Sequence, residues 1–427
     1  MNVAIIGSGG REHAIALKII ESKNLSLLYC IPGNPGTELI ASNISINPSD
    51  HNAIIEFCRS NKIDLVVIGP EQPLVDGLAD RLRVEGITVF GPSSNAAQIE
   101  SSKSFAKKIM NDAGVPTAQY KNFSSAQINE ASEYLNGINY PTVIKADGLA
   151  AGKGVLICNN ITEAELAIRE IFEQKIFGTS GNEIIIEEFL EGEEASVFAI
   201  TDGENFVCLP AAQDHKRIGD GDTGKNTGGM GAYAPAPIVS KALSDEIENT
   251  IIAPVIRQMR KTGNKFVGCL YAGLMITKSG LKVIEFNCRF GDPETQVVLP
   301  VLEGDFLGLL YSAASGNINL NAVRYSGGCS VCVVAASKGY PDEYDKGLII
   351  EGLDYKDDQI IIYHAGTKMD LNNIVTNGGR VLGITSVLKT FDLQLAKKKA
   401  YDALNKISFD GMYFRKDISD KALKYIQ

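Results

Sequence analysis

Residues 145–155 read KADGLAAGKGV: a lysine, Lys145, ends an apolar run, and a glycine-rich loop with a second lysine, Lys153, follows. Backbone N–H groups and lysine ammonium groups are the donors that a chain of phosphates requires, so residues 148–154 suit a flap folded over them. A G-x-x-x-x-G-K-[ST] phosphate loop needs one more residue between its glycines and a hydroxyl where Gly154 stands. This loop therefore carries no magnesium ligand. A surface hairpin would explain the glycines, but not a lysine directly behind the apolar PTVI.

The metal ligands must then lie elsewhere, and VIEFNCRFGDPE supplies them. Glu285 and Asn287 stand at i and i+2 of a strand pattern, so their side chains leave one face about 6.8 Å apart. Oxygen ligands of this kind suit Mg²⁺ or Mn²⁺ bound to nucleotide phosphates. An unpartnered carboxylate on an apolar strand is expensive, which favours a metal partner. Arg289 continues the same face and suits charge on a transferred phosphoryl group or an acyl phosphate. A second acidic row, EIIIEEFLEGEEAS, places Glu187 and Glu188 at a strand end and Glu194 beyond a turn. There, one carboxylate could accept from an adenine amino group and one from ribose hydroxyls; a solvated acidic loop is the plainer alternative.

Three further turns carry polar groups: GSGGREH with Gly9, Gly10 and Glu12, PGNPGT with Asn34, and GPEQPL with Glu71. Glu12 occupies the third glycine of a dinucleotide fingerprint, and no acidic residue ends the second strand, which disfavours an NAD enzyme. The amides of Gly9 and Gly10 open a helix and suit a phosphate or a sugar.

These groups require several domains to position them, and 427 residues imply roughly two to four. Apolar runs at 3–6, 25–31, 63–69 and 87–93 alternate with helical patterns, which predicts a parallel α/β sheet over residues 1–101. Its strands end in the three polar turns, which frame one crevice. Residues 102–325 form a central domain, with a small α+β unit at 122–190 in which the glycine loop joins two strands. The glycine-rich stretch 211–237 reads as a functional or mobile loop, residues 240–261 as one helix, and 268–290 as a hairpin turning at Ser279 and Gly280. Residues 326–427 form a β-rich α+β domain with a final helix.

A net charge of −10 argues against a general nucleic-acid binder, and no apolar run reaches the roughly 18 residues that span a bilayer. The start, MNVAIIGSGGREH, reads as a strand and turn rather than a signal peptide. Eight cysteines are scattered, with one lone C-x-x-C at Cys329 and Cys332 inside an apolar run. Buried thiols in a reducing, cytoplasmic compartment are the expectation.

A lysine-ended strand, a glycine flap, the EEFLEGEEAS hinge and the EFN strand together resemble the ATP-grasp ligases, which join a carboxylate to an amine through an acyl phosphate. GSGGREHA, PGNPGT, GPEQPLV, KADGLAAGKGV, QDHKRIGDGDTGKNTGGMGAY, EFNCRFGDPETQ and VTNGGRVLG are similar, in that order, to the glycinamide ribonucleotide synthetase family of those ligases. The resemblance implies an ATP-grasp fold for 102–325, with 122–190 as its lid. It further implies ATP-dependent ligation of glycine to 5-phosphoribosylamine in purine synthesis, by a monomer acting on small molecules. Lys103, Lys145, Gly152, Lys153 and Gly154 would meet the phosphates, the hinge Glu187, Glu188, Phe189 and Leu190 the adenine, and Glu194 the ribose. Glu285 and Asn287 would bind the metal, and Met275 stands where many relatives carry another glutamate. Lys225 stands where the family often has proline. Lys145 and Arg289 would be catalytic, Asp214 and Arg289 would hold glycine, and Gly9, Gly10, Glu12, Asn34, Glu71 and Arg380 would hold phosphoribosylamine. Two rivals are an ATP-grasp enzyme with a different acceptor, such as a carboxylase subunit, and a nucleotide-binding regulator without turnover.

Overall fold

The computed structural model describes residues 1–149 and 154–426, so the expectations for Gly152 and Lys153 lie outside the described residues. Five parallel strands build the first sheet, in the order Ser42–Asn43, Leu27–Pro32, Asn2–Gly7, Leu65–Ile68, Thr88–Phe90. Val3, Ala4, Ile5 and Ile6 are all fully buried. An unbroken apolar run is what a parallel strand covered on both faces requires. The strand order reverses beside Asn2–Gly7, so the crevice opens where Gly7 and Gly69 end neighbouring strands.

The central antiparallel sheet runs Phe206–Cys208, Gly192–Thr201, Gly268–Thr277, Gly280–Asn287. One of its faces shares a core with the first domain through Val197, Leu270, Val283, Ile68 and Met110. Lys241–Ile247, Glu248–Ile252 and Ala253–Lys261 follow one another without a break, as the single helix expected over 240–261. The hairpin turns one residue earlier than its sequence suggests, with Thr277 paired to Gly280. The lid is a four-stranded antiparallel sheet, Tyr120–Ser124, Glu183–Glu188, Thr142–Ala146, Val155–Cys158. The helices Ile128–Leu135 and Ile161–Phe172 bury Ala131, Leu135, Ile168 and Ile171 against it. Lys145 pairs with Val155 across the glycine loop, as a hairpin requires.

Residues 211–237 are not a free loop. Gln213–Asp214 and Gly231–Ala234 are strands of the last domain's sheet, which continues through Cys329–Ala336, Arg380–Leu388 and Ile360–His364. Ala232 pairs with Cys332. Gln213 pairs with Tyr233 and Arg217 with Asn226 inside the stretch, while Gly231–Ala234 also pairs with a strand about a hundred residues further on, so ladders rather than side-chain alternation decide its conformation. The helix Leu393–Leu404 covers this sheet. Cys329 and Cys332 are buried free thiols on one strand. Among the described residues, no helix is long and apolar enough to cross a membrane.

Candidate active site

A cleft of about 1060 Å³ separates the lid from the central sheet and is lined also by residues of the first and last domains. At one end stand the lysines. Lys103 begins the helix Lys103–Ala113 and donates to Gly148 O at 3.1 Å. The Asp147 carboxylate accepts from Ser102 Oγ (3.0 Å) and Ser104 N (2.6 Å), which pins the start of the glycine loop to that helix N-terminus. Lys145 Nζ lies 2.9 Å from Glu187 Oε2, and Lys107 Nζ lies 3.2 Å from Glu187 Oε1. Burial lowers the Lys107 ammonium to about 8 against the pull of Glu187.

Two expectations for the hinge need correction. Glu187 is 4% exposed and its carboxylate is the counterion of two lysines, so it is not free to accept from a base. Glu188 Oε1 accepts from Lys282 Nζ and from Gln119 N. Glu188, Phe189 and Leu190 line the cleft here. Val143, Ile157 and Met275 give that end apolar walls, and Gly154 also lines it.

Glu285 and Asn287 reach the cleft through a bulge. Gly273 pairs with Glu285 but Leu274 pairs with Val283, leaving Ile284 as the extra residue. Leu281 and Val283 are buried before the bulge and Phe286 after it, so the alternation changes phase and Glu285 turns outward. Burial would raise the Glu285 carboxyl, but Lys216, Lys145, Lys103 and Arg289 hold it below its ordinary value, hence ionised. With its amide satisfied, Asn287 Nδ2 lies 3.3 Å from Glu100 Oε1. Among the described residues, no three His, Cys, Asp or Glu side chains cluster as metal ligands. One ionised carboxylate and one amide oxygen nevertheless fit Mg²⁺, which retains waters and takes phosphate oxygens.

Arg289 stands where this end of the cleft meets the first domain. Its Nη2 lies 2.8 Å from Glu100 Oε1 and its Nε 3.3 Å from Glu71 Oε2. Burial would lower the Arg289 guanidinium, but Glu100 and Glu71 hold it above its ordinary value, so it stays charged. Asp214 is 6% exposed, and burial raises its carboxyl to about 8, with Lys216 opposing and Glu294 adding to the rise. Lys216 Nζ bonds Glu194 Oε2 at 2.6 Å.

The first-domain turns hold fewer free groups than expected. Glu12 Oε2 accepts from Gly9 N at 2.6 Å and Oε1 from Arg11 Nε at 2.6 Å, so Glu12 and the Gly9 amide satisfy each other. Asn34 donates to Ser8 O and His364 O, both at 2.9 Å, and its Oδ1 accepts from Gly36 N and Thr37 N. Its amide is saturated, and it ties the first domain to the last. Gly10 lies against Gln296, and Glu71 remains one-third exposed in the cleft. Arg380 reaches the cleft from the last domain, where its Nη1 donates to Gly228 O (2.5 Å) and Asp292 O (2.6 Å).

Three charged side chains of the cleft escape a reading of the sequence. Lys107 lies four residues after Lys103 on the same helix face, a spacing that could have revealed it. Lys216 sits in the expected loop, and Glu100 shows no local signal.

Residues 1–100 match the phosphoribosylglycinamide synthetase N domain, residues 101–295 its ATP-grasp (A) domain and residues 330–421 its C domain. A phosphoribosylamine–glycine ligase of Rhodopirellula baltica is 46% identical over 431 residues, covering 99% of this chain and 98% of its own. The crystal structure of a phosphoribosylamine–glycine ligase from Thermotoga maritima matches with a TM-score of 0.85 at 33% identity, over 98% of this chain and 100% of that one. The biotin carboxylase domain of Hydrogenobacter thermophilus 2-oxoglutarate carboxylase, in complex with MgADP, matches with a TM-score of 0.74 at 16% identity. It covers 100% of this chain and 98% of its own, a likeness of fold alone.

Proposed function

The chain belongs to the phosphoribosylglycinamide synthetase family, an ATP-dependent ligase of purine synthesis that joins glycine to 5-phosphoribosylamine, and on that premise we propose that its reaction runs through a glycyl phosphate. The products are glycinamide ribonucleotide, ADP and phosphate. One observation carries this reading: a single cleft runs from Lys103 and Lys145, past Arg289, to Arg11, Pro70 and Glu71 beside the strand-order reversal of the first domain. A nucleotide at one end and a sugar phosphate at the other then meet at Arg289.

ATP lies with its base against Val143, Ile157 and Met275, its ribose at Glu194 and its phosphates at Lys103, Lys145 and Gly154. Glu285 and Asn287 would hold Mg²⁺ or Mn²⁺, which would supply positive charge to offset that of the nucleotide phosphates. The glycine ammonium sits at Asp214 and its carboxylate at Arg289. A carboxylate oxygen attacks the γ-phosphorus, the bond to ADP breaks, and Lys145 and Arg289 offset the charge that develops. The anchoring of Arg289 by Glu71 and Glu100 supports this role, because a fixed guanidinium needs no reorganisation. The amine of phosphoribosylamine then attacks the glycyl carbonyl carbon, phosphate leaves with the C–O bond electrons, and the amine nitrogen loses a proton. Gly10, Glu71 and Arg380 orient that amine substrate. Glu12, Gly9 and Asn34 hold the turn that frames it.

The enzyme works in the cytoplasm as a monomer, without nucleic acid. The eight free cysteines suit a reducing compartment, and the net charge of −10 disfavours nucleic acid. Hydroxylamine tests the intermediate. With ATP, Mg²⁺ and glycine but no phosphoribosylamine, it should yield glycine hydroxamate together with ADP. ADP formed without hydroxamate would contradict a glycyl phosphate.

A further inference from the structure

We propose that the Lys216 ammonium is a resident cation of the metal site, keeping divalent ions off Glu285 until nucleotide phosphates arrive. The inference rests on the reading of Glu285 and Asn287 as metal ligands. Lys216 follows the short strand Gln213–Asp214, in the segment that crosses from the central to the last domain. Its backbone is fixed, because Lys216 O accepts from Thr227 N at 2.7 Å and from Thr227 Oγ1 at 2.9 Å. From that anchor the ammonium reaches Glu194 Oε2 at 2.6 Å and Glu285 Oε1 at 3.8 Å, on two different strands of the central sheet. The other cations near Glu285 are engaged elsewhere: Lys145 with Glu187, Arg289 with Glu71 and Glu100, Lys103 with Gly148 O. Among the described residues, Lys216 is thus the cation in ion-pair contact with Glu285.

A divalent ion on Glu285 would stand within a few ångströms of this ammonium, where like charges repel strongly in a partly buried cleft. Nucleotide phosphates reverse the sign of the local field. The ion then enters together with them, and Lys216 keeps its shorter bond to Glu194. Metal binding becomes conditional on nucleotide, with Lys216 as the positioning residue that makes it so.

Mn²⁺ titration of the full-length chain, followed by electron paramagnetic resonance of the free ion, tests this without turnover. Without nucleotide, wild type and Lys216→Arg should bind Mn²⁺ weakly at this site. Lys216→Met, and Lys216→Gln in parallel should the first not fold, should bind on the order of tenfold tighter or more. Adding Glu285→Gln should remove the gain. Wild type with ADP should recruit Mn²⁺. If ADP recruits Mn²⁺ but neither neutral variant gains affinity, the gate is wrong and the metal ligands stand. A gain that survives Glu285→Gln also overturns the gate, because the ion then binds elsewhere. If ADP recruits no Mn²⁺, the ligand assignment itself fails.

Discussion

The two oxygens of the Glu187 carboxylate are held by two lysines, Oε2 by Lys145 at 2.9 Å and Oε1 by Lys107 at 3.2 Å. All three side chains are less than a tenth exposed. Removing one member of a buried ionic group leaves uncompensated charge, which costs about 3–5 kcal/mol. Glu187→Ala should therefore lower stability by about that amount in denaturant unfolding. It should also raise the KM for ATP, because Lys145 loses its anchor. Lys107→Met keeps the Glu187–Lys145 pair and should cost less. Unchanged unfolding of Glu187→Ala would show that the triad is not a structural unit.

Glu285 faces the cleft with its side chain 40% exposed, so its removal should spare the fold. Glu285→Ala should abolish ligation while melting within a few degrees of wild type. The loss reflects several kcal/mol of transition-state stabilisation. Near-normal turnover at ordinary Mg²⁺ concentration would refute the assignment.

Asp214 carries a pH signature. Its carboxyl is raised from 3.8 to about 8 by burial, so the folded protein takes up a proton there. Its contribution to stability is complete below about pH 4 and is lost as pH rises through about 8. Ligand-free Asp214→Asn should therefore gain stability relative to wild type between pH 5 and pH 9. The same variant should raise the KM for glycine by a factor worth about 1.5–3 kcal/mol, the value of one charged hydrogen bond. A stability difference that does not vary with pH would contradict the buried, protonated carboxyl.

The sequence made the parallel sheet, the lysine-ended strand and the glycine hairpin legible, because each is a local pattern of apolar runs and turns. It misled wherever a distant partner decides. Asn34 looks like a free amide until His364, 330 residues away, takes one of its hydrogens. The bulge at Ile284 is invisible to a period of two, and without it Glu285 would share the buried face of Val283. The ladder of Gly231–Ala234 with Cys329–Ala336 likewise has no local trace. Lys107 was within reach of the helical period; Glu100 becomes meaningful only beside Arg289.

Arg380 lines the cleft from the last domain, and Asp292 and the Gly228 carbonyl orient it. Arg380→Ala should raise the KM for phosphoribosylamine by the equivalent of about 1.5–3 kcal/mol, with the constants for ATP and glycine nearly unchanged. Lysine should not restore it, since one ammonium cannot replace a planar fork. A fall in ATP affinity instead would remove Arg380 from the sugar-phosphate site.

One cleft should bring ATP, glycine and phosphoribosylamine together on this chain. Steady-state ADP release, measured with each substrate omitted in turn, reads this out. Sustained release should require ATP, Mg²⁺, glycine and phosphoribosylamine together, with one glycinamide ribonucleotide formed for each ADP. Sustained release that is indifferent to phosphoribosylamine, or that proceeds with bicarbonate in place of glycine, would show that the cleft does not join glycine to phosphoribosylamine.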